Sequence, residues 1–147
     1  MATATVMVEQ ISRTASRGNA RGHQLVMDRP EAKGGTNEGM MGGEAMLNGL
    51  GGCFMSNLLA AAKARNIELK NARADIEGDM ADAPSRFSAI RMSVSAQCNP
   101  PEELDKLVTI AERGCIAANT LRAAVELSIK VVRSGNVDIT LLDSGRS

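Results

Sequence analysis

Three cysteines carry the most reactive side chains in this 147-residue chain: Cys53, Cys98 and Cys115. Cys53 lies in the small, apolar run Gly51-Gly52-Cys53-Phe54-Met55, and Cys115 in Glu112-Arg113-Gly114-Cys115-Ile116. Each of these two segments has a helical pattern. Two thiols on helices that pack together can form a redox couple, whereas two that never meet are inert core hydrophobes. Spacing alone leaves both readings open. Cys98 ends a strand pattern just before Asn99-Pro100-Pro101 and reads as structural.

A thiol attacks as its thiolate, so something must lower its pKa from the free value of about 8.5. Cys115 opens a short helical segment, whose amino end favours a nearby anion. Cys53 sits inside a helix and is expected to need a cation instead. Arginine suits best because it stays charged when desolvated. The candidates are Arg13, Arg17 and Arg21, in a polar stretch between two strand patterns; the simpler reading is a solvated basic loop. Glu44 heads the helix of Cys53, where an acid is favoured by the helix dipole, and it has the chemistry to hold a guanidinium through a bidentate pair.

Other chemistries find little support. His23, the sole histidine, falls in a strand pattern and reads as a strand residue rather than a base. It and the cysteines lack the short ligand spacing of zinc sites, so no metal or cofactor is expected. Gly34-Gly35 lacks the lysine and hydroxyl of a phosphate loop. Lys+Arg and Asp+Glu balance at 17 each, and there is no Trp or Tyr. Neither a basic field nor stacking platforms for nucleic acid exist. No signal peptide is read at the N-terminus, and no stretch reads as a membrane span. The expected setting is a reducing cytoplasm, where a disulfide is transient and catalytic.

The elements that must position the thiols follow from periodicity. Residues 4–11 read as a strand, 12–22 as a loop, and 22–28 as a second strand forming a hairpin with the first. Residues 43–65 read as a long helix, apolar or small nearly all round and so buried on several sides. Its Gly49, Gly51 and Gly52 each cost about 1 kcal/mol against alanine, which close approach of another backbone would explain. Strands are expected over 72–80 and 87–96, with Phe87, Ala89, Arg91, Ser93 and Ser95 on one face and Ile90, Met92, Val94 and Ala96 on the other. A helix runs from Pro100 to a stop at Gly114, a shorter one covers 116–121, and a strand 125–132. Residues 134–147 read as an edge strand or loose tail. The order β-β-α-β-β-α-(α)-β predicts an α+β fold: one domain over 1–147, ordered core about 4–132, with an antiparallel sheet and a long central buried helix.

With those segments in place, Gly34-Gly35-Thr36-Asn37-Glu38-Gly39, Glu44 through Gly52-Cys53, and Glu112-Arg113-Gly114-Cys115-Ile116-Ala117-Ala118-Asn119-Thr120-Leu121 together resemble the OsmC/Ohr superfamily, over about residues 20–132. The resemblance implies an intertwined homodimer with central helices packed together and a site at the subunit interface. It implies a thiol-dependent peroxidase in which Cys53 becomes a sulfenic acid and Cys115 condenses with it to a disulfide, reduced by a lipoyl-type dithiol. Arg21 or Arg17 would activate Cys53, with Glu44 as the acid partner. The chain departs from the best-characterised branches in having Gly43 where their acid stands and Ile116 where they carry a proline. The competing reading is a non-catalytic dimeric binder of a small ligand or fatty chain in a Met/Leu cavity near Cys53, or a redox sensor.

Overall fold

The structure is a computed structural model that describes residues 2–133, so the expected edge strand or tail over 134–147 lies outside the described residues. Those residues form two compact units, one ending at Met46 and the other beginning at Leu47.

The first unit is a three-stranded antiparallel sheet, β1 (Met7–Gln10), β2 (Ser16–Ala20) and β3 (His23–Met27), in that order. The expected direct pairing of β1 with β3 is thus replaced by a strand inserted where a loop was read. Ser16-Arg17-Gly18-Asn19-Ala20 has no apolar alternation, and only the register to both neighbours defines it. Arg21 and Gly22, both at positive φ (51° and 85°), make the two-residue turn that matches strand twist in a tight hairpin. After β3, the buried Asp28 carboxylate organises the following loop. It accepts the Arg29 amide at 2.7 Å, the Thr36 amide at 3.1 Å, the Thr36 hydroxyl at 2.8 Å and the Glu38 amide at 3.1 Å.

Helix α1 (Gly42–Ala64) starts in the first unit and runs through the second. Met41 caps it: its carbonyl accepts the Ala45 amide at 2.9 Å, and Glu44 Oε1 reaches back to the Met41 amide at 2.8 Å. That is the glutamate half of a capping box. At 23 residues α1 is long and apolar enough to cross a bilayer by length and composition, contrary to the sequence reading. Leu50, Phe54, Leu58, Ala61 and Ala62 are its buried residues, all on the side turned to the second unit's core.

The second unit carries β4 (Glu68–Ala81), β5 (Arg86–Asn99), α2 (Leu104–Gly114), α3 (Ile116–Arg122) and β6 (Glu126–Val131), with a single 3₁₀ turn at Pro101–Glu103. Strands β4 and β5 pair antiparallel, but β6 runs parallel to β5. The expected wholly antiparallel sheet is therefore corrected to a mixed one. The chain leaves β5, crosses through α2 and α3, and returns in the same direction, which makes a parallel partner. Leu50, Phe54 and Leu58 of α1 pack with Ile90, Met92 and Val94 of β5 and with Leu104, Leu107, Val108 and Ala111 of α2.

Two expectations about faces change. A register shift between Asp79 and Met80 turns Phe87 onto the core face, over Gly78, away from Arg91. Helix α1 buries one side of its second-unit stretch, while Gly49, Gly52, Leu59 and Ala60 are exposed in the single chain. Of its glycines, Gly51 meets the expected close approach: a Cβ there would lie 2.6 Å from Ile76 Cδ1 of β4, whereas Gly49 and Gly52 have nothing within 4 Å.

Candidate active site

Cys53 and Cys115 meet within the second unit. Cys53 is half-buried on α1, and Cys115 is fully buried at the bend between α2 and α3. The bend is built by the end of one helix and the start of the next. Gly114 closes α2, and Cys115 adopts an extended backbone (φ −82°, ψ 111°). Cys115 then caps α3: its carbonyl accepts the Asn119 amide at 3.0 Å and its sulfur accepts the Ala118 amide at 3.4 Å. The sulfur takes the place that a serine or aspartate oxygen fills at most helix starts.

The first amides of a helix have no partner inside it. Here the sulfurs take them. Ala118 donates to Cys115 at 3.4 Å, and the Ala117 and Ile116 amides, with the Cys115 thiol, lie near enough to Cys53 to favour its charged form. The Ala117 amide is the largest influence on Cys53. Together with the Cys115 thiol and the Ile116 amide it outweighs burial, which opposes ionisation, and holds the Cys53 pKa below its ordinary value. Cys115 shifts the other way: burial pushes its thiol up, only partly offset by the Ala118 amide, and its donation to Cys53 pushes it further.

Cys53 therefore has a helix end acting on it that the spacing alone did not offer. The amino end of α3 acts on both sulfurs: Cys115 turns its own into the bend as a cap, and α1 brings Cys53 beside the first turn. Cys98 is separate. Its thiol donates to the Pro100 carbonyl at 3.3 Å, and burial and the nearby Glu103 and Glu102 raise its pKa despite Arg133.

The remaining expected residues lie in the first unit. Arg21 is exposed in the β2–β3 turn. Arg17 lies on β2 opposite Glu9, with an ion pair at 3.6 Å. Glu44 caps α1 as described. His23 is exposed at the start of β3. An apolar groove of about 300 Å³ lies on this first sheet, lined by Val6, Val8, Leu25 and Met27 among others. Among the described residues no group of His, Cys, Asp and Glu is arranged to hold a metal ion.

The sequence reading missed the backbone donors at Ile116 and Ala117 and the side chains that brace them. Asn57, one turn beyond Cys53, donates to the Ala111 carbonyl at 3.5 Å, and Asn119 donates to the Arg113 carbonyl at 3.1 Å. The signal for Asn57 was its spacing of four from Cys53, which puts both on one face of a helix.

The fold is α+β and brings two thiols together, the more exposed of them with a lowered pKa. The chain belongs to the OsmC-like protein family, whose family model matches residues 35–130. Its fold is similar to that of an OsmC-like protein from Mycoplasma pneumoniae, at 18% identity and a TM-score of 0.78, covering 90% of this chain and 97% of that one. It is also similar to an organic hydroperoxide resistance protein OsmC from Legionella pneumophila (19% identity, TM-score 0.67, 89% and 97% covered). A third similar fold is the organic hydroperoxide resistance protein OhrB of Bacillus subtilis (19% identity, TM-score 0.61, 88% and 98% covered). No curated protein matches in sequence.

Proposed function

We propose that this protein is a thiol-dependent peroxidase acting on hydroperoxides. The observation that carries the reading is the meeting at one bend of Cys53, its pKa lowered chiefly by the Ala117 amide, and Cys115, its pKa raised chiefly by burial. Membership of the OsmC-like family, and folds shared with proteins named for organic hydroperoxide resistance, support the same chemistry.

In the proposed reaction the Cys53 thiolate attacks the terminal oxygen of the hydroperoxide. The O–O bond breaks, the alkoxide takes a proton and leaves as the alcohol, and Cys53 becomes a sulfenic acid. Cys115 sulfur then attacks Cys53 sulfur. The S–S bond forms, the S–O bond breaks, and the thiol proton leaves with hydroxide as water. A dithiol, lipoyl-type in the proposal, returns both thiols and is itself oxidised. The opposed acidities suit the sequence of steps, since Cys53 must be ionised first and Cys115 must wait.

Arg21, paired with Glu44, is carried forward as the proposed cation of the site, the role that family resemblance implies, with Arg17 as its alternative. The proposed assembly is a homodimer in a reducing compartment. The exposed α1 face with Gly49, Gly52, Leu59 and Ala60 is the surface a second copy would cover.

The test is steady-state consumption of an organic hydroperoxide with dihydrolipoamide or dithiothreitol as reductant. Cys53→Ser is expected to abolish turnover, and Arg21→Ala to slow it. Turnover that survives Cys53→Ser overturns the reading.

A further inference from the structure

We propose that forming the Cys53–Cys115 disulfide uncaps α3, so that the oxidised protein opens the first turn of that helix and lets the reducing dithiol reach a sulfur that is otherwise shut in. This rests on the Cys53–Cys115 couple of the reaction above.

Cys115 has two tasks that exclude each other. As a thiol it caps α3: its sulfur accepts the Ala118 amide at 3.4 Å, and its carbonyl accepts the Asn119 amide at 3.0 Å. As the resolving thiol it must turn the same sulfur to Cys53. Both cysteines belong to one packed cluster. Asn57, one turn after Cys53 on α1, has its Nδ2 3.6 Å from where a Cβ would stand on Gly114, the residue before Cys115. Two thiols and one hydroperoxide give one disulfide, one alcohol and one water. A covalent bond draws two sulfurs closer than any non-bonded contact. From then on the bond to Cys53, not the Ala118 amide, sets where the Cys115 sulfur points.

The amide left behind has no other acceptor at hand. Ala118 is fully buried, and the Cys115 sulfur is the acceptor the structure gives it. A buried donor without a partner bears the whole cost of its lost hydration. Water reaches it only if the first turn of α3 swings out. Little holds that turn: Ile116 is 77% exposed, and α3 has seven residues, too few to sustain a helix alone. Its later part stays tied to α2, because Asn119 Nδ2 donates to the Arg113 carbonyl at 3.1 Å and Arg122 Nη2 to Glu112 Oε2 at 2.8 Å. Opening is thus confined to the start of the helix.

The second half of the cycle needs this opening. Cys115 is 0% exposed in the reduced chain, whereas thiol–disulfide exchange requires access to a disulfide sulfur. Once α3 is uncapped, one dithiol sulfur bonds to Cys115 and Cys53 leaves as thiolate. The second dithiol sulfur then displaces Cys115 and closes the oxidised, cyclic product, and the two dithiol protons pass to the cysteines. The returned Cys115 thiol caps α3 again.

The experiment is amide hydrogen–deuterium exchange on the full chain, reduced and after one equivalent of diamide, read from peptide masses after quenching and reduction. Diamide takes two electrons and two protons from a thiol pair and becomes the hydrazine, so it makes the disulfide without peroxidase chemistry. Peptide mapping before reduction identifies the bond. Exchange over residues 117–119 is expected to be about 2- to 30-fold faster in the oxidised chain, the range that loss of an N-cap gives, with β5 unchanged. Reduced Cys115→Ala is expected to exchange there as fast as the oxidised parent. Cys115→Ser, whose oxygen caps the helix and forms no disulfide, is expected to stay slow with and without diamide. Exchange in the oxidised parent that is slower, or less than about 2-fold faster, overturns the proposal. So does a reduced Cys115→Ala that exchanges as slowly as the reduced parent, or a parent in which diamide forms no Cys53–Cys115 disulfide. Should Cys115→Ala fail to fold, the two states of the parent decide alone. Hydroperoxide that leaves both thiols free where diamide joins them overturns the peroxidase reading and leaves this result standing.

Discussion

Gly51 is two residues from Cys53, and the contact it makes with β4 sets how closely the thiol-bearing helix lies on the sheet. Replacing it with alanine places a Cβ 2.6 Å from Ile76 Cδ1, about 1 Å inside the ordinary carbon contact of roughly 3.5–4.0 Å. Two effects oppose each other. Alanine gains about 1 kcal/mol of helix propensity over glycine. Crowding a packed site costs about 1–3 kcal/mol. The net expectation for Gly51→Ala is a loss of about 0–2 kcal/mol. Ile76→Val removes the offending methyl, and the next Ile76 atom, Cγ1, stands at 4.0 Å, an ordinary distance. That change alone costs about 0.5–1.5 kcal/mol. In its background, however, Gly51→Ala is expected to stabilise by up to about 1 kcal/mol, so the two mutations couple by about 1–3 kcal/mol. Urea unfolding of the four proteins at one protein concentration measures this directly. Equal destabilisation by Gly51→Ala in both backgrounds would show that the approach of β4 is not what demands glycine.

Two further predictions concern charge and hydrogen bonding. Burial raises the Asp28 carboxyl, but the Glu38 amide, the Thr36 hydroxyl and the Arg29 and Thr36 amides outweigh it and hold its pKa at about 2, below the ordinary 3.8. The contribution to stability is therefore complete above the ordinary value and lost as pH falls through about 2; acid unfolding of Asp28→Asn should lack that part of the pH dependence between pH 4 and 2, and an unchanged profile would refute the assignment. At the site, Cys115→Ser retains a donor to Cys53 and Cys115→Ala does not. The Cys53 alkylation midpoint should accordingly be higher in the alanine variant than in the serine variant, and equal midpoints would remove Cys115 from the activation of Cys53.

Much of this arrangement was legible in the sequence because it is periodic. The alternation of Ile90, Met92, Val94 and Ala96 set one face of β5 apart, and the recurring apolar residues over 43–65 marked the long helix, though not which of its sides is buried. The failures have specific causes. Strand β2 contains no apolar alternation, and its hydrogen bonds to both neighbours are not a sequence property. Phe87 changed faces because one extra residue at a bulge inverts the parity of everything beyond it. The parallel return of β6 depends on where α2 and α3 cross. The backbone influence on Cys53 was not legible for a related reason: it comes from amides more than sixty residues away in sequence, and amides carry no residue identity to notice. The cysteine pair itself was visible, and its meeting required the fold.

The central claim is that Cys53 and Cys115 form a working redox couple. One equivalent of hydroperoxide, followed by alkylation and mass analysis of the intact chain and its peptides, tests it most directly. Loss of two free thiols and a single Cys53–Cys115 disulfide are expected, with Cys98 still alkylated. Cys53 carried on to a sulfinic or sulfonic acid while Cys115 remains a free thiol would contradict it.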